Sequence, residues 1–249
     1  MLNDPLLLSF VIFAICFSAF IKGALGLGFS TICLAILANA IPLKDAIAIV
    51  LIPSLLSNIQ VMIGAGNFRI SVKTFWPMLL TAIVGMMVGL QFLLSADTRI
   101  SVATLGVILI IYGFWGYFNQ TFRIRDESIP RLNPIVGFLT GIVNGATGSQ
   151  IFPIMPYLLS LNISKEVLVQ TINLSFTICS LIMMATMWNV GVLNASLALS
   201  YSAAIVPVVI FVWLGAKLRA RFSESLFRRL AMLLVIVLGI GLVMKVLKQ

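Results

Sequence analysis

The sequence predicts an all-α integral membrane protein made of two inverted repeats, each beginning with a glycine-broken helix or helical hairpin. Three observations carry this. Of 249 residues, 61% are hydrophobic and 9% charged, against about 25% charged in a soluble domain. Apolar runs long enough to cross a bilayer recur along the chain. A motif inside such a run, Gly23–Ala24–Leu25–Gly26, returns 122 positions later as Gly145–Ala146–Thr147–Gly148.

The apolar runs cover roughly 5–21, 24–41, 46–64, 75–94, 100–118, 132–146, 149–161, 167–189, 195–216 and 227–247. That predicts about eight to ten membrane segments. A hydrocarbon core of about 30 Å needs about 20 helical residues. Six of the runs meet that length. The other four form two pairs, 5–21 with 24–41 and 132–146 with 149–161, each interrupted by glycines. As one helix, 132–161 would be roughly 45 Å long, too long for one plain crossing and short for two. Each pair therefore reads as a broken helix or a hairpin. The run from Pro5 to Ile21 follows Asp4 without a basic leader, so it reads as the first membrane segment and not as a cleaved signal peptide.

The halves match beyond the glycines. Lys44–Asp45 opens the run after the first pair, and Lys165–Glu166 opens the run after the second. Pro42 and Ser164 precede them as helix-start residues. The chain thus divides into repeats 1–125 and 126–249, joined by the charged stretch Arg123–Arg131.

Charge decides how the repeats face. The net charge of +9 does not indicate nucleic acid, because Lys and Arg sit in short loops between apolar runs. That is the membrane-orientation pattern. If each broken pair returns to its starting side, one face receives eleven basic residues: Arg69, Lys73, Arg123, Arg125, Arg131, Lys165, Lys217, Arg219, Arg221, Arg228 and Arg229. The other receives Lys44, Arg99, Lys245 and Lys248. If each pair crosses once, the tally is a near-even eight against seven. The positive-inside rule selects the first case, which makes the repeats inverted. The loop Lys217–Arg229 is then cytoplasmic and both termini are extracytoplasmic, in a multi-pass protein of the cell membrane.

The candidate site follows from polar residues that lipid would not tolerate. The stretch Asn144–Gly145–Ala146–Thr147–Gly148–Ser149–Gln150 offers two glycines and four hydrogen-bonding side chains inside an apolar region. Unsatisfied groups there cost several kcal/mol each in hydrocarbon, so the stretch must face protein or water. Two interrupted segments at matching places in two halves point to a transporter site. Gly23, Gly26, Gly28, Gly145 and Gly148 let the backbone break and approach a ligand, and a helix starting after such a break aims free N–H groups at an anion. The competing reading is close helix packing through small residues four apart. Lys22 is the charge embedded in an apolar pair, and a charge in that setting is a functional hypothesis; snorkelling to the interface is its alternative. Its counterpart is Asn144. Asn58 and Asn173 sit on the helices that follow, either lining a path or bonding between helices.

Other chemistry is thinly represented. Histidine is absent and the seven carboxylates lie at segment ends, which disfavours a metal centre or a carboxylate proton relay. Cys16, Cys33 and Cys179 show no disulfide pattern. No cofactor motif is present. The expected partners are a small anionic substrate and membrane lipids, with anionic headgroups near Lys217–Arg229. The sequence is compatible with a homodimer.

The duplicated glycine motif, with Ile41–Pro42–Leu43–Lys44–Asp45–Ala46 after the first copy, resembles the sulfite exporter (TauE/SafE) family. So do Gly141–Gly148 with Pro156–Tyr157–Leu158 and Ser164–Lys165–Glu166, and the tail Gly215–Ser223. The resemblance covers essentially the whole chain. It implies a permease of about eight helices that moves sulfite, sulfonates or related organic anions, with the glycine motifs carried by Gly23, Gly26, Gly28, Gly145 and Gly148. Family members often have denser glycine clusters, whereas Thr147, Ser149 and Gln150 interrupt the second copy here. The expectation is a non-enzymatic secondary transporter working by alternating access. An anion channel and a membrane scaffold without transport are the alternatives.

Overall fold

A computed structural model describes residues 4–25, 28–118, 123–219 and 224–248. Every regular element among them is helical. The first half contains α1 (Pro5–Leu25), α2 (Phe29–Ala40), α3 (Leu43–Ala65), α4 (Phe68–Ser95) and α5 (Thr98–Tyr117). A short 3-10 turn at Asp126–Ser128 leads into α6 (Ile129–Thr147), α7 (Ile154–Leu159), α8 (Lys165–Asn189), α9 (Ala195–Ser202), α10 (Ile205–Arg219) and α11 (Glu224–Leu247). Among the described residues, seven stretches are long and apolar enough to cross a membrane: 5–24, 43–65, 68–95, 98–117, 165–189, 195–218 and 229–247. The shorter α2 is apolar as well.

Three boundaries differ from the sequence expectation. Helix α1 does not stop near Ile21 but continues to Leu25, and α2 begins at Phe29, behind Gly28. The second pair is unequal: α6 has 19 residues, while α7 is a six-residue helix after the irregular stretch 148–153. The run 195–216 is divided at Ala203–Ala204. Pro207 explains that division, because it has no N–H to return to the carbonyl of Ala203.

Glycine seams hold the helices together. On α4 and α6, Gly85, Gly89, Gly137, Gly141 and Gly145 are spaced four apart and lie against each other's backbones. A Cβ on Gly137 would strike Met78, one on Gly141 would strike Ala82, and one on Gly145 would lie 2.5 Å from the Met86 carbonyl oxygen. The partner numbers rise together, so α4 and α6 run parallel. Small residues at this spacing allow the close backbone approach on which membrane helices depend, since lipid supplies no hydrophobic drive between them. Helices α1 and α10 are also parallel. Gly23 and Gly215 meet at one end of that pair, and Leu8 to Ile15 share a cavity with Ser200 to Pro207 at the other. In contrast, α5 and α11 run antiparallel: Gly106 approaches Gly239 and Val243, while Gly113 approaches Ile236 and Gly116 approaches Met232.

The pairings α4 with α6, α1 with α10, α5 with α11 and α3 with α8 dominate the packing. Exchanging the two halves maps this set onto itself. Basic residues gather at one end of the bundle. Ser71 near the start of α4 bonds the Val167 carbonyl of α8, and Asn133 of α6 bonds Thr74 of α4. Arg69, Lys73, Arg123, Arg125, Arg131 and Lys165 therefore share that end. At the opposite end, Lys245 Nζ donates to the carbonyls of Ala38 and Asn39 at 2.9 and 3.2 Å, closing the last turn of α2. Cations are favoured at a helix C-terminus, where carbonyls lack intrahelical donors.

Candidate functional site

The two broken segments meet in the interior. Helix α2 starts behind Gly28, which has φ 94° and offers no side chain to cap the helix. The first-turn N–H groups of Phe29, Ser30 and Thr31 thus lack intrahelical acceptors. Helix α6 ends at Gly148, with φ 73°, whose N–H donates to the Asn144 carbonyl at 2.7 Å. Thr31 Oγ1 lies 3.2 Å from Ser149 Oγ, and Ser30 Oγ donates to the Gly148 carbonyl at 3.4 Å. Thr147 Oγ1 donates to Val143 and accepts from the Ser149 N–H, which shapes the turn locally.

Lys22 lies in the last turn of α1 and is 3% exposed. It does not snorkel. Its Nζ donates to Ser57 Oγ at 2.9 Å and Asn58 Oδ1 at 2.6 Å, both on α3. Both acceptors are neutral, and neither hydrogen bond reaches a carboxylate. A buried charge is costly unless it is paired and hydrogen-bonded, and the two bonds to α3 are neutral contacts.

Two adjoining cavities of about 10 Å³ each surround this centre. The first is lined by Lys22, Asn58, Asn173 and Gln150 together with Gly28, Ser30 and Thr31. The second is lined by Asn144, Gly148, Gln150 and Ser180, and it shares Ser30 and Ser54 with the first. Each has room for about one water. Gln150 Nε2 donates to Ser180 Oγ at 2.8 Å, and Asn173 Nδ2 donates to the Val169 carbonyl at 2.8 Å. Among the described residues, four buried atoms here lack a partner: Ser54 Oγ, Asn58 Nδ2, Gln150 Oε1 and Asn173 Oδ1. An unsatisfied buried group costs about 1–3 kcal/mol. All four belong to residues that line the two adjoining cavities.

The structure thus brings together Lys22, Gly28, Asn58, Asn144, Gly148, Ser149, Gln150 and Asn173, with Thr147 supporting the turn. Gly26 lies outside the described residues. Gly23 and Gly145 are not at the breaks: they sit within helices, against the backbones of α10 and α4 respectively. For those two positions the packing reading describes the backbone, because the close neighbour removes room for any side chain. The expectation of a helix start at each break holds for α2; the six-residue α7 follows Pro153, which has no N–H to offer. The sequence pattern does not single out Ser30, Thr31 or Ser180. The signal for the first two was their place in the turn directly after a glycine break. For Ser180 no local signal exists, since it is one more hydroxyl on a helix rich in them.

The φ of Gly148 makes a stability difference measurable. A Cβ there would lie 2.8 Å from Ile47 Cγ1 and 3.0 Å from Leu34 Cδ1, whereas Gly66, with φ 71°, faces open space. Left-handed backbone costs a non-glycine residue about 1–2 kcal/mol. Gly66→Ala should lower stability by about that amount, and Gly148→Ala by about 2–4 kcal/mol once packing strain is added. Melting of the two variants in detergent checks this; equal losses would show that Ile47 and Leu34 yield freely.

A larger cavity of about 360 Å³ adjoins the polar centre through Gly28 and Thr31. It lies among the C-terminal part of α5, the N-terminal parts of α8 and α11, and the segment 151–163, with Lys165 in its wall. It is therefore at the basic end of the bundle.

Long apolar helices around a buried, hydrogen-bonding centre define a multi-pass membrane protein. The chain belongs to the sulfite exporter TauE/SafE family, whose profile matches residues 11–242. This is a family of membrane transporters for sulfite-related anions. Comparison with curated proteins and with solved structures returns no match.

Proposed function

We propose that this protein is a secondary transporter that moves a small anion, sulfite or an organic sulfonate, by alternating access. The observation that carries this reading is Lys22: a buried ammonium with two neutral acceptors, beside unpaired amide and hydroxyl groups and the uncapped start of α2. Lys22 supplies charge, Asn58 and Asn144 supply N–H donors, and the first-turn N–H groups of α2 supply a positive dipole end. Ser149 holds the second break against the first through Thr31, and Gln150 ties it to Ser180 of α8.

The halves 1–125 and 126–249 act as inverted repeats in this reading. In support, α5 and its counterpart α11 run antiparallel, and the helix pairings exchange when the halves are exchanged. The end bearing Arg69, Lys73, Arg123, Arg125, Arg131 and Lys165 is then cytoplasmic by the positive-inside rule, with Lys217–Arg229 on the same side and both termini opposite. Residues 220–223 of that loop lie outside the described residues. Cavities of about 10 Å³ do not admit a four-atom anion, so α2 and the segment 148–153 must part to load the site. The 360 Å³ cavity beside Gly28 and Thr31 gives the cytoplasmic approach.

The test is counterflow in proteoliposomes. Unlabelled sulfite inside should drive saturable, transient accumulation of radiolabelled sulfite from outside. Flux that neither saturates nor responds to trans sulfite would indicate a channel. No flux of sulfite or methanesulfonate would overturn the substrate class.

A further inference from the structure

The wall of the large cavity does not suit a bare inorganic anion. Twelve of the sixteen described residues that line it are aliphatic, alanine or methionine; the other four are Gly28, Thr31, Tyr112 and Lys165. Its volume of about 360 Å³ falls within the range of sites that bury organic ligands, about 300–1,000 Å³. A hydrated sulfite gains nothing from such a surface. Its inner end touches the polar centre through Gly28 and Thr31, which line both spaces. Charge and apolar surface are therefore arranged in series: Lys22 and its amides at the closed end, an aliphatic chamber behind them, and a second cation, Lys165, in the chamber wall.

We infer that the chamber holds the apolar body of the transported anion, so that the preferred substrate is an organosulfonate with a hydrocarbon chain of several carbons, its headgroup directed to Thr31 and Lys22. This rests on the anion-transport reading and narrows its substrate class. Ile32, Ile151, Leu158, Leu168 and Val235 would cover the chain. Recognition is then divided between a small polar pocket that selects the headgroup and a chamber that selects for chain.

The chain series methane-, butane- and hexanesulfonate decides it, measured as binding to the protein in lipid nanodiscs, with butanol and hexanol as neutral controls. Burying a methylene contributes about 0.8 kcal/mol, so affinity should rise about fourfold per carbon and the alcohols should bind far more weakly. Leu159 is a chamber residue that is 39% exposed, which makes a large replacement tolerable to the fold. In Leu159→Trp the gain per carbon should shrink towards one. If that variant does not fold, the wild-type series still decides. A flat series with methanesulfonate bound overturns the chamber assignment and leaves anion transport standing. Alcohols binding as tightly as sulfonates of equal length also overturns it, since the site would then be an unselective apolar cavity. Absence of binding by every sulfonate, together with absence of sulfite counterflow, would instead overturn the anion-transport reading beneath it.

Discussion

Lys22→Met should abolish saturable anion transport while leaving the protein folded. The ammonium is the central charge of the proposed site, and hydrogen bonds to charged groups contribute about 1.5–3 kcal/mol each. Loss of one such contact to the substrate weakens binding by about 10- to 150-fold. Stability should move the other way or stay level. Met has nearly the same reach, and removing a buried charge removes its desolvation cost. The loss of donors to Ser57 Oγ and Asn58 Oδ1 offsets part of that gain. Lys22→Arg should not restore transport: the space beside Nζ is about 10 Å³, too little for a guanidinium. Wild-type affinity in Lys22→Met, measured by binding in nanodiscs, would remove Lys22 from the site and make it a structural lysine.

Gly141→Leu should have the largest effect on stability. Gly141 packs on the backbone of α4, where a Cβ would strike the Ala82 carbonyl and lie 2.6 Å from the Met86 nitrogen. Overpacking against movable side chains costs about 1–3 kcal/mol. Here the neighbour is helix backbone, so α4 and α6 must separate along a seam that also includes Gly85, Gly89, Gly137 and Gly145. A loss above about 3 kcal/mol is expected, enough to prevent recovery of folded protein in mild detergent. Gly64→Ala in α3 is the matched control. Nothing lies within 4 Å of a Cβ there, and replacing a helical glycine by alanine gains about 1 kcal/mol. Opposite signs for the two variants are expected in thermal melts. A mild effect of Gly141→Leu would mean the α4–α6 seam is loose.

The two glycine motifs show where a sequence reading stops. In Gly23–Ala24–Leu25–Gly26 and its second copy, every glycine is locally equivalent. Yet Gly23 and Gly145 serve close packing, and Gly28 and Gly148 carry the left-handed backbone of the breaks. What separates them is the neighbour: helix backbone of α10 or α4 for Gly23 and Gly145, side chains such as Ile32 and Ile47 for Gly28 and Gly148, and for Gly23 that neighbour is almost 200 residues away. The same holds for Lys22. Its position inside an apolar run marked it as costly, but its release from the snorkelling alternative depended on Ser57 and Asn58 arriving from another helix.

The sequence by itself determined the membrane class, the run of apolar helices and the family, because these follow from composition, segment length and local motif. It also marked Lys22, Asn58, Asn144, Gln150 and Asn173, because a polar group among lipid-length apolar runs is expensive wherever the chain goes. Tertiary structure alone decided which glycines pack and which break, that α7 is a single short helix, that Ser30, Thr31 and Ser180 join the centre, and that an aliphatic chamber lies behind it. Those are properties of surfaces formed by residues far apart in the chain, and no local pattern encodes the distance between them.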